Sequence, residues 1–399
     1  MLDAAVIDEL DRLTKSLEPE LVEFRRSRHQ FPELGHREYK TTAAVVERLT
    51  AAGLEPRVLS SGTGVVCDVL GSSGEPATIG FRGDIDALPV ADLTHTPYHS
   101  VVPGVCHACG HDAHTTIALG TALVLREMAR LGHLEVSARL IFQPAEEITP
   151  GGALDVIADH ALDGLRHVFA LHCDPKVEVG KVGMRTGPIT AGADQIRVSM
   201  TGPGGHTARP HLSSDLVYAL GAVTTQLPAV LSRRCDPRAG LSVVWGQIHA
   251  GTAPNAIPQS GFAEGTLRCL DAAVWESAHQ IVPDVVRAIA APYRVDVEVD
   301  MQTSVPPCVN GEVTTELFRA AAARVIGPRN VVSTDQSLGG EDFAWIAARI
   351  DSSLARLGVR GPQVADPGDL HRGTFDIDEA ALLVGVRLFS GVALAGFDD

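Results

Sequence analysis

The chain has 399 residues, of which 45% are hydrophobic and 21% charged, and its formal net charge is -16 at pH 7. That length exceeds the roughly 250–300 residues at which one hydrophobic core stops growing, so two compact units are expected, and the apolar content excludes a disordered chain. The negative charge opposes binding to nucleic acid phosphate or anionic lipid and leaves room only for a local cationic pocket that takes a small anion.

Residues 1–20 carry acids where a secretory signal would carry Lys or Arg, and they hold no continuous apolar run, so export is not expected. Residues 77–82 (ATIGFR), 137–142 (SARLIF) and 167–171 (HVFAL) read as strands, and residues 115–131 between the first two read as a helix. This alternation predicts an α/β layer around a mostly parallel sheet. From about Gly192 the pattern changes to period two, at 195–200, 241–248, 261–269 and 293–299, with helix-like stretches at 215–231 and 271–290. Four strands and two helices predict an inserted α+β lid domain over residues 191–301. Helical patterns return at 314–325 and 379–395, so residues 1–190 and 302–399 are expected to form one catalytic domain. The apolar stretch 380–397 is interrupted by Arg387, Ser390 and three glycines, which suits a buried helix better than a membrane span. The seven cysteines are odd in number and irregularly spaced, which predicts reduced thiols and a cytoplasmic location.

The densest group of reactive side chains is CHACGHDAH at 106–114, with two Cys, three His and one Asp in nine positions. In an extended segment Cys109 and His111 share a face, whereas on a helix they diverge by about 200°. Thiolate and imidazole both ligate zinc-like ions. Three blander readings compete: a CxxC made by Cys106 and Cys109, a helix-starting pair in His111 and His114, and a polar loop. No second CxxC and no thioredoxin-like context support the first.

Glu146 and Glu147 follow the strand at 137–142, at a carboxyl end where open α/β sheets build their sites. Neighbouring side chains point apart, so one carboxylate can ligate metal while the other meets a water. His172 ends a β-rich run and His371 lies in a turn region, and either alone reads as a structural histidine. Asp84 and Asp86, spaced i and i+2, either ligate directly or orient a ligand histidine, and Asp86 is assigned the orienting part.

Taken in order, ten segments resemble the family of metal-dependent aminoacylases and carboxypeptidases, specifically its amidohydrolase branch of hippurate hydrolases, N-acyl-amino-acid amidohydrolases and indoleacetyl-amino-acid hydrolases. They are HQFPELGHRE at 29–38, RGDIDALP at 82–89, PGVCHACGHDAHT at 103–115, FQPAEE at 142–147, ALH at 170–172, GGHTARP at 204–210, APNAIP at 253–258, EGTLR at 264–268, GGEDF at 339–343 and LH at 370–371. The resemblance implies a catalytic domain binding two divalent ions, zinc or manganese or else cobalt or nickel. Its ligands would be Cys109, His111, Glu147, His172 and His371, with Glu146 as general base toward water and Cys106 outside the set. It also implies that His206 in the lid stabilises the oxyanion, often for a neighbouring subunit, hence a homodimer through the lid. Asn255 and Arg268 would contact the substrate's carboxylate or carbonyl, and Gly340 would line the substrate site. Arg268 alone has the planar donor fork that suits a carboxylate. The segment EEITPGGALDVI and Asp92 depart from the family's usual pattern without touching a proposed ligand.

The implied reaction is hydrolysis of an amide joining an acyl group to an amino acid or similar amine. One alternative is a dipeptidase, carboxypeptidase or deacetylase of a biosynthetic intermediate, with the same metal chemistry and a different pocket. Another is a homologue that binds metal or ligand without catalysis, against which all five ligands and the base are present.

Overall fold

The computed structural model describes residues 3–396. Met1 and Leu2, which begin the acid-rich N-terminal stretch, and 397–399, including the Phe397 that ends the apolar run, lie outside the described residues.

Two helices precede the first predicted strand. Helix α1 (Ala4–Gln30) starts at Asp3, whose carboxylate accepts the Ala5 N–H at 3.0 Å, and it buries Leu10, Leu21, Arg25 and His29. Helix α2 (Tyr39–Ala51) follows. Then come β1 (Arg57–Val58), β2 (Val65–Val69), β3 (Ile79–Asp84), α3 (His111–Arg130), β4 (Ala138–Gln143), β5 (His167–Glu178) and β6 (Val182–Met184). The inserted segment supplies β7 (Gly192–Thr201), α4 (Leu216–Arg234), β8 (Ser242–Ala250), β9 (Ser260–Cys269), α5 (Ala272–Ala290) and β10 (Asp296–Val305). The chain closes with α6 (Glu312–Val325), β11 (Val331–Ser333), β12 (Asp351–Arg360) and α7 (Ala380–Ala395).

The chain divides into two compact units, one of residues up to 187, 309–335 and from 345 onward, the other of residues 188–308 and 336–344. The larger unit is an eight-stranded sheet in the order β1-β2-β4-β3-β5-β12-β6-β11. The pairs β3–β4, β3–β5, β5–β12 and β6–β11 are parallel, so the sheet is mostly parallel as expected. Strand β3 is buried along its whole length, which is why a parallel strand reads as a continuous run rather than an alternation. Phe81 and Phe169 stack at 5.9 Å between centroids, with Phe389 of α7 at 4.9 Å from Phe81 and Phe318 of α6 at 5.2 Å from Phe169. Asn310 ties the returning chain to this core, donating to the carbonyls of Arg185 and Leu354 and accepting the Leu354 N–H, each at 2.8 Å. No helix among the described residues is long and apolar enough to cross a membrane.

The smaller unit is a four-stranded antiparallel sheet, β8-β9-β7-β10, packed against α4 and α5. Strand β7 alternates, with Ile196, Val198 and Met200 buried and Gln195 exposed, as a sheet with one wet face requires. The two helices start at Asp215 and Asp271, whose carboxylates accept the amides of Tyr218 and Val274. Strands β7 and β10, which carry the chain in and out of this unit, are hydrogen-bonded neighbours, with Ala193 opposite Val305.

Candidate metal centre

The site is built at the carboxyl ends of β3 and β4 and along β5, with a helix start and one turn added. Helix α3 begins at His111, four residues earlier than the apolar pattern predicts, because the Cys- and His-rich sequence masks its first turn. Its N-cap, Gly110, has φ +85°, and a Cβ there would lie 2.9 Å from Cys173 Sγ. Cys109 and His111 therefore do not share a face of an extended segment. They converge because the chain kinks at Gly110 between a loop and a helix, which corrects the period-two reasoning. Cys109 Sγ lies 3.4 Å from Nε2 of His172 on β5.

The glutamate pair sits in a tight turn after β4. Ala145 takes φ +52°, and its N–H is held by the buried Glu38 carboxylate at 2.7 Å. Fully buried Asp86 then accepts from three donors: the amides of Glu146 and Glu147, each at 3.0 Å, and Nδ1 of His111 at 3.2 Å. One carboxylate thus fixes the turn and turns His111 Nε2 inward. That Nε2 lies 3.9 Å from Glu146 Oε2 and 3.8 Å from Glu147 Oε1. His371, at φ +63°, is brought in by its own N–H to the Ala108 carbonyl at 2.8 Å, and its Nε2 is 3.4 Å from Glu147 Oε1. His172 donates its Nδ1–H to the Cys173 carbonyl at 2.8 Å, leaving Nε2 as its inward lone pair.

Candidate ligand atoms here form three overlapping groupings, Cys109–His111–His172, Cys109–Glu147–His371 and His111–Glu146–Glu147, each with all atoms within 4.8 Å of one another and the first two sharing the thiol. His111 Nε2 and Glu147 Oε1 are buried and make no hydrogen bond, whereas His111 Nδ1 and the Glu147 amide are both held by Asp86. Burial beside Glu147, Glu146 and Asp84 pushes the Cys109 thiol well above its usual range. Burial also raises Glu147. It opposes a charge on His111 too, but Asp84 and Asp86 outweigh it and raise that imidazole to about 10. For His172 burial wins, with Arg356 adding to it, and the imidazole is held neutral. Unpartnered inward donor atoms, and a thiol that can ionise there only beside added positive charge, fit divalent cations.

Asp84 and His114 form a further group with His111 that is already closed. Asp84 accepts from His114 Nδ1 at 2.6 Å and from Arg82, and His114 Nε2 accepts the Cys173 amide at 2.9 Å. Asp84 is therefore a structural neighbour of the ligands. Gly83 lets α3 approach, since a Cβ would meet the His114 carbonyl at 2.7 Å. Cys106 belongs to no ligand grouping; its backbone pairs with Leu88.

The other predicted residues lie in the smaller unit, in two places. His206 and Asn255 are exposed on neighbouring short segments, His206 pairing with Ala256 while the Asn255 carbonyl accepts the Thr207 amide at 3.3 Å. Half-buried Arg268 donates from Nη1 to the Leu338 carbonyl at 2.8 Å, and exposed Gly340 leaves 2.9 Å between a Cβ position and Val305 Cγ2. Glu38 went unassigned in the sequence, although it closes the HQFPELGHRE segment. So did Arg25, which is fully buried with Asp112, Asp376 and Glu379 around it.

Residues 80–395 match the profile of peptidase family M20/M25/M40. A Rhodococcus jostii protein named "Putative glutamate--cysteine ligase 2-3" is 46% identical over 96% of this chain, which spans only 47% of that protein's length. The N-acetyl-L-cysteine deacetylase of Bacillus subtilis is 38% identical over 92% of this chain and 86% of its own. Among solved structures, the Bacillus subtilis YXEP protein, described as a dinuclear metal binding peptidase from the M20 family, has TM-score 0.84 at 30% identity and covers 96% of this chain and 98% of its own.

Proposed function

Because the chain belongs to peptidase family M20/M25/M40 and is a metal-dependent amide hydrolase, we propose that it cleaves the amide joining an acyl group to an amino acid or similar amine. The observation that carries this reading is the cradle itself: two groupings sharing Cys109, with His111 Nε2 and Glu147 Oε1 bare and inward, and Glu146 beside them in a third grouping with those two residues. Bound cations would supply Lewis acidity toward the carbonyl and make a water more acidic. Glu146 takes that water's proton at its carboxylate and returns it to the leaving nitrogen. Asp86 keeps Glu146, Glu147 and His111 in register for this step. The family resemblance supports assigning His206 to the oxyanion, and Asn255, Arg268 and Gly340 to the substrate's carboxylate end.

The Cys109 thiolate favours zinc, and the Glu147 carboxylate also admits manganese, with cobalt or nickel as further options. Relatives named as N-acetylcysteine deacetylases support starting a substrate panel with N-acetylcysteine. A relative named Thermostable carboxypeptidase 1 from Saccharolobus solfataricus, 32% identical, supports adding dipeptides to that panel. A homodimer through the smaller unit is part of the proposal. Strand β8 is at the sheet edge with Val244 and Ile248 exposed, and Val217 and Tyr218 are exposed at the start of α4. Seven free cysteines suit a reducing, cytoplasmic setting.

The test is Glu146→Gln. It should keep its metal content and lose about 10²- to 10⁴-fold in turnover on N-acyl amino acids. Wild-type turnover by the metal-loaded variant would remove Glu146 from the reaction.

A further inference from the structure

The GGEDF segment lies between β11 and β12 of the larger unit in sequence, yet residues 336–344 pack as part of the smaller one. The contacts that place it there are specific. Ser337 forms a parallel bridge with Thr190, donating its amide to the Ile189 carbonyl at 2.9 Å and accepting the Ala191 amide at 3.0 Å. Gln336 Nε2 donates to the Pro188 carbonyl at 3.1 Å. Beyond Ser337 the backbone ties to that segment end, and Arg268 takes over with its Nη1 bond to the Leu338 carbonyl.

Arg268 on β9 stands opposite Ala193 on β7, and Ala193 stands opposite Val305 on β10. Gly340 rests on this same row, its Cβ position 2.9 Å from Val305 Cγ2 and 3.6 Å from Ala193 Cβ. A side chain at 340 would push the turn off the row, and the guanidinium holds the carbonyl two residues before it. Arginine suits this task because its planar fork commits one N–H edge to the carbonyl and leaves other donors facing outward.

We propose that Arg268 is a positioning residue: its bond to Leu338 fixes the Gly339–Gly340 turn onto the Arg268–Ala193–Val305 row and builds that turn into the smaller unit's recognition surface. This differs from a contact made only to a substrate carboxylate. A carboxylate contact matters for acidic substrates alone, whereas a positioning bond matters for every substrate the turn helps to hold. The kinetic consequence rests on the amide-hydrolase reading above; the structural one does not.

The experiment compares wild type, Arg268→Met, Arg268→Lys and Gln336→Ala as metal-loaded full-length proteins. Hydrogen exchange reads the amides of Ser337 and Gly339, whose acceptors are the Ile189 carbonyl and Ser337 Oγ. Exchange at both should rise about tenfold in Arg268→Met, the factor expected from loss of one hydrogen bond to a charged donor, and less in Arg268→Lys. Gln336→Ala removes a tie without removing charge and should also raise it. With an N-acyl amino acid and its carboxamide, kcat/KM should fall by the same factor for both substrates in Arg268→Met, and the Gln336→Ala losses should also be equal for the two. Unchanged exchange in Arg268→Met overturns the proposal, as does a loss confined to the carboxylate substrate. If wild type hydrolyses neither compound, the amide-hydrolase reading fails while the exchange result still decides whether Arg268 holds the turn.

Discussion

Asp86→Asn should weaken metal binding more than its small change in shape suggests. The carboxylate has no solvent exposure and three donors, with Oδ1 taking His111 Nδ1 and the Glu146 amide, and Oδ2 taking the Glu147 amide. Asparagine keeps one acceptor, so whichever way it turns an NH₂ group faces at least one N–H. A buried donor left without an acceptor costs about 1–3 kcal/mol. The surviving bond to His111 becomes neutral and loses about half its strength. Losing the partner that orients a ligating imidazole costs about 10- to 100-fold in metal affinity, which is about 1.4–2.7 kcal/mol. Competition for zinc against a coloured chelator measures that factor directly. Denaturant unfolding in the presence of excess chelator separates it from the loss of folding stability, expected at about 2 kcal/mol. Zinc affinity within threefold of wild type would refute the claim that Asp86 positions the ligands.

Two further changes test the same architecture from other sides. Cys109→Ala should lose metal from the two groupings that contain its thiol, while Cys106→Ala should retain full metal content on elemental analysis; metal loss in the second would draw Cys106 into the centre. Stability should also depend on His29. Burial opposes its charge, but contacts to Asp112 at 2.8 Å and to Asp92 at 3.4 Å raise it from 6.5 to about 9. A raised imidazole gives stability that is complete below about pH 6.5 and is lost as the pH rises through about 9, up to about 3 kcal/mol. The partners Asp92 and Asp112 are held below the usual carboxylate range despite burial, so their side of the same contacts is lost only in acid. Unfolding midpoints should therefore fall between pH 6.5 and 9 in wild type and stay flatter in His29→Gln; parallel curves would exclude this pair.

The elements with one clear period were legible in the chain. Strand β5 begins at His167 as its β-rich run suggests, and α5 begins one residue from its predicted start at Asp271, because a capping aspartate marks the place. The candidate ligand types stood out in Cys109, His111 and Glu147, which the fold brings together. What placed them was not. The kink at Gly110 depends on Cys173, which lies 63 residues away, and the Glu146 turn depends on Glu38, which lies 107 residues before Ala145. Contacts over such separations leave no local period. The N-terminal helices were missed for a different reason: α1 carries its buried Arg25 and His29 where a helix ordinarily shows apolar residues, which blurs its stripe.

The pairing of β7 with β10 has a consequence for how such a chain can be built. The first and last strands of the smaller unit are adjacent, with Ala193 opposite Val305, so the excursion leaves and returns at nearly one point in space. A short bridge between those ends would close the chain without stretching the eight-stranded sheet, whose phenylalanine core contains no residue from the excursion. Residues 188–308 are in this sense a single excursion, to which residues 336–344 return later in the chain. Exchanging it means exchanging residues 336–344 with it, while Phe81, Phe169, Phe318 and Phe389 keep their packing.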